Sequence, residues 1–235
     1  MEKNLKNLIR LKMNKHTLVY ILILLFGINN NSYSQKRKSK SSKLSFNESL
    51  YNAINYRLIG PFRGGRAGTA TGISTDNNTY YMGTAGGGVW KTIDAGNTWK
   101  SISDGYFGGS IGVVAVSESD PNIIYVGEGE QTLRGNVSSG KGAWKSTDAG
   151  ETWKYIGLPK SEHISRIRIH PTNPDVVYVA VIGNLWKPNQ ERGLYKSVNG
   201  GQTWNKILYV SSKAGIGDLI IDPNNSRIVY ASSWQ

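Results

Sequence analysis

Three stretches of the chain have nearly the same sequence: VWKTIDAGNTW (89–99), AWKSTDAGETW (143–153) and LYKSVNGGQTW (194–204). The tryptophans that close them, Trp99, Trp153 and Trp204, are 54 and 51 residues apart. Similarity at a fixed period is the sequence signature of a repeat architecture. The repeat therefore decides the fold before any single residue is considered.

A second landmark recurs with the same period. Tyr125, Tyr178 and Tyr230 lie in IIYVG, VVYVA and IVYAS, and they are 53 and 52 residues apart. Each unit of about 52 residues holds four short runs rich in β-branched and aromatic residues, such as IGVVAVS, NIIYVGEG, GAWKSTD and ETWKYIG. Four antiparallel strands in a repeat of this length predict a blade of a β-propeller.

We therefore predict an all-β fold, a propeller of four-stranded antiparallel blades. About three and a half blades are expected in residues 52–235, at 66–103, 111–158, 164–208 and 214–235. Closed propellers have typically 4–8 blades. The prediction is therefore an incomplete propeller, with the remaining blades in a longer parent chain; assembly with blades of another chain is the alternative.

The repeated stretch falls between the third and fourth strands, where the chain must reverse. An Asp or Asn side chain can accept hydrogen bonds from backbone N–H groups a few residues on, and Gly supplies a positive φ. Asn199 stands where the other copies have Asp, which indicates hydrogen-bond acceptance rather than charge or catalysis. The predicted structural residues are Thr92, Asp94, Gly96 and Trp99; Ser146, Asp148, Gly150 and Trp153; Ser197, Asn199, Gly201 and Trp204.

The N-terminal segment carries most of the positive charge. The chain has a net charge of +12 and no Cys, and residues 1–44 hold ten Lys or Arg and one acid. A basic stretch followed by the apolar run 18–28 predicts a signal peptide at 1–34, cleaved near Ser34–Gln35. An uncleaved anchor is the alternative, and translation could start at Met1 or Met13. Residues 35–51 are expected to be a basic, disordered linker.

These features predict a secreted, periplasmic or cell-surface protein with no membrane span after cleavage. Residues 45–235 hold 18 bases and 15 acids, so the repeat region shows no basic face for nucleic acid. His163 and His170 lack the spacing of metal ligands, and nothing indicates a cofactor.

The repeated stretch resembles the Asp-box, or BNR, repeat (Ser/Thr-x-Asp-x-Gly-x-x-Trp). TIDAGNTW and STDAGETW fit fully, and SVNGGQTW departs at Asn199. YRLIGPFRGGRAGTATGI, MGTAGGGVWKT and IYVGEGE are similar to bacterial proteins of the sortilin N-terminal type, often labelled glycosyl hydrolases. The resemblance covers about residues 52–235. It implies the propeller and a fragment of a ten-bladed protein, but Asp-box propellers include hydrolases, receptors and an assembly factor.

Three loops offer candidate catalytic residues. Arg63 and Arg66 in GPFRGGRAG could bind a carboxylate, as the resemblance to sialidases would require, or could pin the first strand. Glu128 and Glu130 could be the carboxyl pair of a glycosidase, or could form loop salt bridges with Arg134. Xyloglucanases resemble this chain at TAGGGVW, but their catalytic Asp is replaced by Ala85, and a methyl group cannot transfer a proton.

A fourth loop, GNLWKPNQERG, offers ligand-binding residues: Trp186, Lys187 and Arg192, and Arg134 in the loop GEGEQTLRGN is a further candidate. Trp186 could stack on a sugar or grip a peptide, or could fill the loop's own small core. Because Ala85 replaces the carboxylate, we expect an exported, non-catalytic module that binds protein, peptide or glycan. The alternatives are a glycoside hydrolase of the sialidase or xyloglucanase type, and an assembly chaperone.

Overall fold

Fourteen strands and no helix make up residues 65–235, the part of the chain that the computed structural model describes. The first sheet contains β1 (Ala67–Ile73), β2 (Asp76–Thr84), β3 (Val89–Thr92) and β4 (Lys100–Ser101). The second contains β5 (Ile111–Val116), β6 (Ile124–Glu128), β7 (Ala143–Ser146) and β8 (Lys154–Gly157). The third contains β9 (Ile164–His170), β10 (Asn173–Val181), β11 (Gly193–Ser197) and β12 (Asn205–Leu208). The last contains β13 (Gly215–Ile221) and β14 (Val229–Trp234).

Each sheet is an antiparallel meander in which sequence order is also spatial order. The first strands lie side by side, since β1 contacts β5, β5 contacts β9 and β9 contacts β13. The sheets therefore radiate from a shared inner row of strands, as propeller blades do. This confirms the predicted all-β propeller of four-stranded blades. Within 65–235, no helix is both long and apolar enough to cross a membrane.

The hydrophobic core lies between neighbouring sheets. Alternate residues of a strand point to opposite faces, so Val113 packs toward the third sheet and Val114 toward the first. Likewise, Tyr125 packs toward the third sheet and Val126 toward the first, and both are fully buried. Each such large apolar side chain contributes about 1.5–3 kcal/mol on burial. Packing sheet on sheet is therefore what holds the blades together.

The strand registers separate two ends of every blade. In the second sheet, Ala143 pairs with Gly127 and Ser146 pairs with Ile124, so the residues after Ser146 lie at the end away from Glu128. We call the turns at that end the box turns (92–99, 146–153 and 197–204). The opposite end, which we call the loop face, carries loops 85–88, 102–110, 129–142, 158–163, 182–192 and 209–214.

The box turns are held by their own side chains. In the second, Asp148 Oδ1 accepts bonds from Ser146 Oγ at 2.7 Å and Thr152 N at 2.8 Å, and Oδ2 accepts from the Thr152 hydroxyl. Ala149 and Gly150 take φ values of 56° and 93°. These bonds, led by the Thr152 hydroxyl, lower the pKa of Asp148 to about 2.

Asn199 makes the same turn with one bond reversed. Its Oδ1 accepts from Ser197 Oγ at 2.9 Å and from Thr203 N at 3.0 Å. Its Nδ2 donates to Thr203 Oγ1 at 2.9 Å, where the carboxylates accept instead. In the first turn Asp94 accepts from Thr92 and Thr98, and its pKa is likewise lowered to about 2, chiefly by Thr98.

The closing tryptophans join neighbouring sheets. Trp153 Nε1 donates to the carbonyl of Ile102, which follows the first sheet, at 2.7 Å. Trp204 Nε1 donates to the carbonyl of Ile156, in the second sheet, also at 2.7 Å. Trp99 instead donates to Gly96 O in its own turn, and 37% of its surface is exposed.

Candidate functional site

The loop face brings Arg66 and Glu130 together across 64 residues of sequence. Arg66 Nε and its NH2 group donate to the two carboxylate oxygens at 2.8 and 2.9 Å, a bidentate pair. Ser138 N donates to the same carboxylate at 2.9 Å. The Glu130 side chain is 4% exposed. The hydrogen bonds from Arg66 outweigh the effect of burial and hold the pKa of Glu130 below its usual range. Glu130 is therefore ionised and fixed in place by Arg66.

Glu128 is buried at 7% exposure and has different partners. Its Oε1 accepts from Trp144 Nε1 at 2.5 Å and its Oε2 from Lys141 N at 2.9 Å. Gly129 between the two glutamates has a φ of 89°, so this stretch is not regular extended chain. The two carboxylates therefore bind separate sets of donors.

A buried histidine contacts the backbone of Glu130. His163 is 3% exposed, and its Nδ1 lies 2.8 Å from the carbonyl oxygen of Glu130. Burial lowers the pKa of His163, which favours the neutral ring. Within residues 65–235, no group of three or more His, Asp and Glu side chains could hold a metal ion.

Ala85 lies at the turn between β2 and β3, beside the arginine. Its N donates to the carbonyl of Arg66 at 2.9 Å. Thr84 closes the turn, because its hydroxyl accepts from Gly87 N at 2.9 Å and donates to Gly88 O at 3.1 Å. A methyl group therefore stands next to the Arg66 backbone, where the xyloglucanase resemblance would place a carboxylate.

The loop at 182–192 presents an aromatic side chain. Asn184 Oδ1 accepts from the backbone N of Trp186 and of Lys187, both at 2.9 Å, and Trp186 is 67% exposed. Arg192 differs from the expected ligand-binding guanidinium: it is 4% exposed and donates to the carbonyls of Ile182 and Asn184. The Arg192 side chain lies inside the loop, where its guanidinium donates to those carbonyl oxygens.

The other predicted residues are dispersed. Arg134 is exposed on the loop 129–142. Asp94, Asp148 and Asn199 lie in box turns, at the opposite end of the blades from Glu128. Arg63, the signal peptide at 1–34 and the linker at 35–51 fall outside the described residues.

The inner strands line a cavity that was not predicted from the sequence. It has a volume of about 530 Å³ and is bordered by β1, β5 and β9. Arg166 lies in its wall, donating to Asp218 Oδ1 at 2.8 Å and to Gln131 Oε1 at 2.6 Å. The arginines that alternate with isoleucine in ISRIRIH could have indicated this cavity, because an inner strand that faced only the hydrophobic core would not carry charged side chains.

Sequence comparison supplies the family. The model of the Sortilin-Vps10 family, described as sortilin, neurotensin receptor 3, matches residues 87–232. The chain belongs to the Sortilin-Vps10 family. This confirms the resemblance to sortilin-type propellers stated from the motifs.

Curated relatives of this Sortilin-Vps10 chain are named as xyloglucanases. It is 29% identical over 182 residues to a xyloglucanase of Hypocrea jecorina, covering 70% of this chain and 20% of that protein. It is 28% identical over 191 residues to xyloglucanase Xgh74A of Acetivibrio thermocellus, covering 73% and 21%. The chain thus spans about a fifth of the length of these relatives.

Solved structures agree on the fold. An ancestral GH74 enzyme superposes with a TM-score of 0.59 at 20% identity, covering 76% of this chain and 23% of that one. The GH74 enzyme of Niastella koreensis gives 0.51 at 19% identity, covering 71% and 26%.

Proposed function

We propose that this chain is part of an exported glycoside hydrolase of the xyloglucanase type and that its loop face holds the glycan. The observation that carries the proposal is the 29% identity to a named xyloglucanase over 70% of this chain. It favours the hydrolase alternative over a binding module without catalysis. The predicted signal peptide supports export.

Trp186 supplies the contact expected of a sugar site. Its ring is exposed beside the exposed Lys187, and aromatic faces bury the apolar face of a sugar ring while polar groups bind its hydroxyls. Arg134 is exposed on the neighbouring loop 129–142 and offers further donors. These features support glycan binding by the loop face.

The glutamates are better suited to shape this face than to transfer protons. Glycoside hydrolysis needs a general acid and a second carboxylate about 5–9.5 Å apart. Glu130 is ionised by its pairing with Arg66, which is the wrong state for an acid. Both oxygens of Glu128 accept hydrogen bonds from Trp144 and Lys141. We infer that residues 65–235 contribute glycan contacts rather than the acid–base pair.

Affinity electrophoresis in xyloglucan gels tests the binding step. The wild-type chain should be retarded, and Trp186→Ala should lose most of the retardation because the stacking surface is removed. Tyr230→Ala is the matched control, since this aromatic is 57% exposed on β14 and lies toward the box-turn end. Equal mobility of the wild type with and without xyloglucan would contradict the proposal.

A second candidate, the non-catalytic module for peptide or glycan, is favoured by Ala85 and by the fully engaged glutamates. Reducing-sugar release from xyloglucan, and hydrolysis of aryl glycosides, separate the two. If Glu128→Gln or Glu130→Gln abolishes a measured hydrolysis while the variant keeps its thermal stability, both the binding-only hypothesis and the inference that these glutamates only shape the loop face are wrong. A protein captured without turnover would favour the module.

A further inference from the structure

Backbone strain marks one loop of the loop face. Among residues 65–235, four residues other than glycine take a positive φ. Ala95 and Ala149 do so in box turns, where the chain reverses. The other two are Leu158 at 61° and Glu162 at 54°, in the loop that joins β8 to β9. Residues with a side chain take this conformation at a cost, and such strain is found preferentially at ligand sites.

A small cavity adjoins that loop, and we call it the outer pocket. Its volume is about 240 Å³, and it is lined by Leu158, Pro159, Lys160, Ser161, Glu191 and Tyr195. The first four of these residues follow β8, the last strand of the second sheet, and the other two lie just before and within β11 of the third sheet. The outer pocket is therefore built where two four-stranded blades meet, on the outer side of the loop face.

Hydrogen bonds fix the two walls of the outer pocket relative to each other. Asn189 Nδ2 donates to Glu162 Oε1 at 3.3 Å, and Asn189 Oδ1 accepts from Glu191 N at 2.7 Å. Asn184 Nδ2 donates to Glu162 Oε2 at 2.5 Å. The Tyr195 hydroxyl lies 2.8 Å from the carbonyl oxygen of Glu191 and 3.1 Å from its Oε2. A pocket whose walls are already ordered loses less entropy when a ligand binds.

The walls combine an apolar surface with polar groups of different kinds. Leu158 and Pro159 supply the apolar surface. Lys160 and Glu191 bring an ammonium and a carboxylate, and neither forms an ion pair within the described part of the chain. Ser161 is 2% exposed, and its buried Oγ has no hydrogen-bond partner among the described residues. A buried hydroxyl without a partner calls for an explanation, and a bound ligand is one.

A neutral ring that carries hydroxyl groups fits these walls. An ammonium only donates and a carboxylate only accepts, whereas each hydroxyl of a sugar does both. The C–H groups of a sugar ring can pack on apolar side chains such as Leu158 and Pro159. The volume is below the roughly 300–1,000 Å³ of sites for drug-sized ligands, which limits the occupant to a single ring. We propose that the outer pocket binds one neutral pyranose ring, a side branch of the glycan held by the loop face. The choice of a sugar among polyols rests on the proposed glycan function.

Two-dimensional NMR of the isotope-labelled full chain tests the outer pocket. Methyl β-D-glucopyranoside and methyl α-D-xylopyranoside, each a single neutral ring, are titrated separately. We expect saturable shifts of the amide signals of Lys160, Ser161 and Glu191 with at least one of them. Glycerol has hydroxyl groups but no ring to cover the apolar surface, so it should bind about tenfold more weakly.

Substitutions isolate the polar wall. Glu191→Ala should weaken glycoside binding about tenfold, because an acceptor with a charge is lost, while the backbone carbonyl of the same residue still accepts from Tyr195. Lys160→Ala, at an exposed position, should weaken binding as well. Glu151→Ala is the matched control, an exposed acid in a box turn at the opposite end of the blade, and should bind as the wild type does. Trp186→Ala should also keep the binding, since Trp186 does not line the outer pocket.

The outcomes separate this proposal from the proposed function. The outer pocket is overturned as a sugar site if neither glycoside shifts these amides, if glycerol binds as tightly, or if Glu191→Ala leaves the affinity unchanged. Retardation in xyloglucan gels without these shifts would contradict the outer pocket alone. Glycoside binding that Glu191→Ala weakens, in a chain that xyloglucan does not retard, would support the outer pocket and contradict only the xyloglucan assignment.

Discussion

Substitutions of Asp148 test whether its carboxylate stabilises the turn or takes part in chemistry. In Asp148→Ala the turn loses the acceptor of three hydrogen bonds, from Ser146 and from the N and hydroxyl of Thr152. Each such bond contributes about 1 kcal/mol net, and the carboxylate is partly exposed, so we expect a loss of about 2–3 kcal/mol in the free energy of unfolding. Asp148→Asn should cost less than about 1 kcal/mol, because Asn199 shows that an amide can make the same turn.

Urea unfolding followed by tryptophan fluorescence measures both variants. The pH dependence adds an independent check on the sign. Because Thr152 lowers the folded pKa of Asp148 from 3.8 to about 2, its stabilising contribution is complete above pH 4 and is lost as the pH falls toward 2. Asp148→Asn should lack that part of the acid loss. Equal destabilisation by Ala and Asn at pH 7 would refute the reasoning, since it would mean that the charge itself is required.

Three further substitutions test other contacts. Trp153→Phe should lower the free energy of unfolding by about 1–3 kcal/mol, because a buried carbonyl loses its donor, and Trp99→Phe should cost less in the same urea titration. Gly88→Ala should cost about 1–3 kcal/mol, since φ is 68° and its Cβ would meet a serine hydroxyl at 2.0 Å, whereas Gly86→Ala meets nothing and should be near neutral by calorimetry. Arg66→Ala should lower the thermal midpoint, since a buried glutamate loses two donors; an unchanged midpoint would contradict the anchoring role.

The repeat made the fold predictable. Its period, the four strand-like runs and the turn chemistry are all local signals, and the structure has four-stranded antiparallel sheets in that order. Asn199 was informative for the same reason, since a side chain that accepts hydrogen bonds from its own turn needs no distant partner.

The candidate site was less predictable because its contacts are not local. Glu130 was a candidate from its sequence neighbours, but its main partner, Arg66, is 64 residues away in another blade. Arg192 was predicted to bind a ligand, yet its guanidinium is buried and donates to the backbone carbonyl of Ile182. The indole bonds of Trp153 and Trp204 also join different blades, and only their period hinted at them.

The tryptophan contacts also bear on the shape of the ring. Besides the packed faces of their sheets, neighbouring blades contact each other along two rows, the inner strands near the axis and the indole-to-carbonyl bonds farther out. Two rows of fixed separation define a wedge, and the wedge angle fixes how many blades complete a circle. Lengthening the outer contact would increase the angle between neighbouring blades and so favour fewer blades. The indole contact therefore helps to set the number of blades as well as to join them.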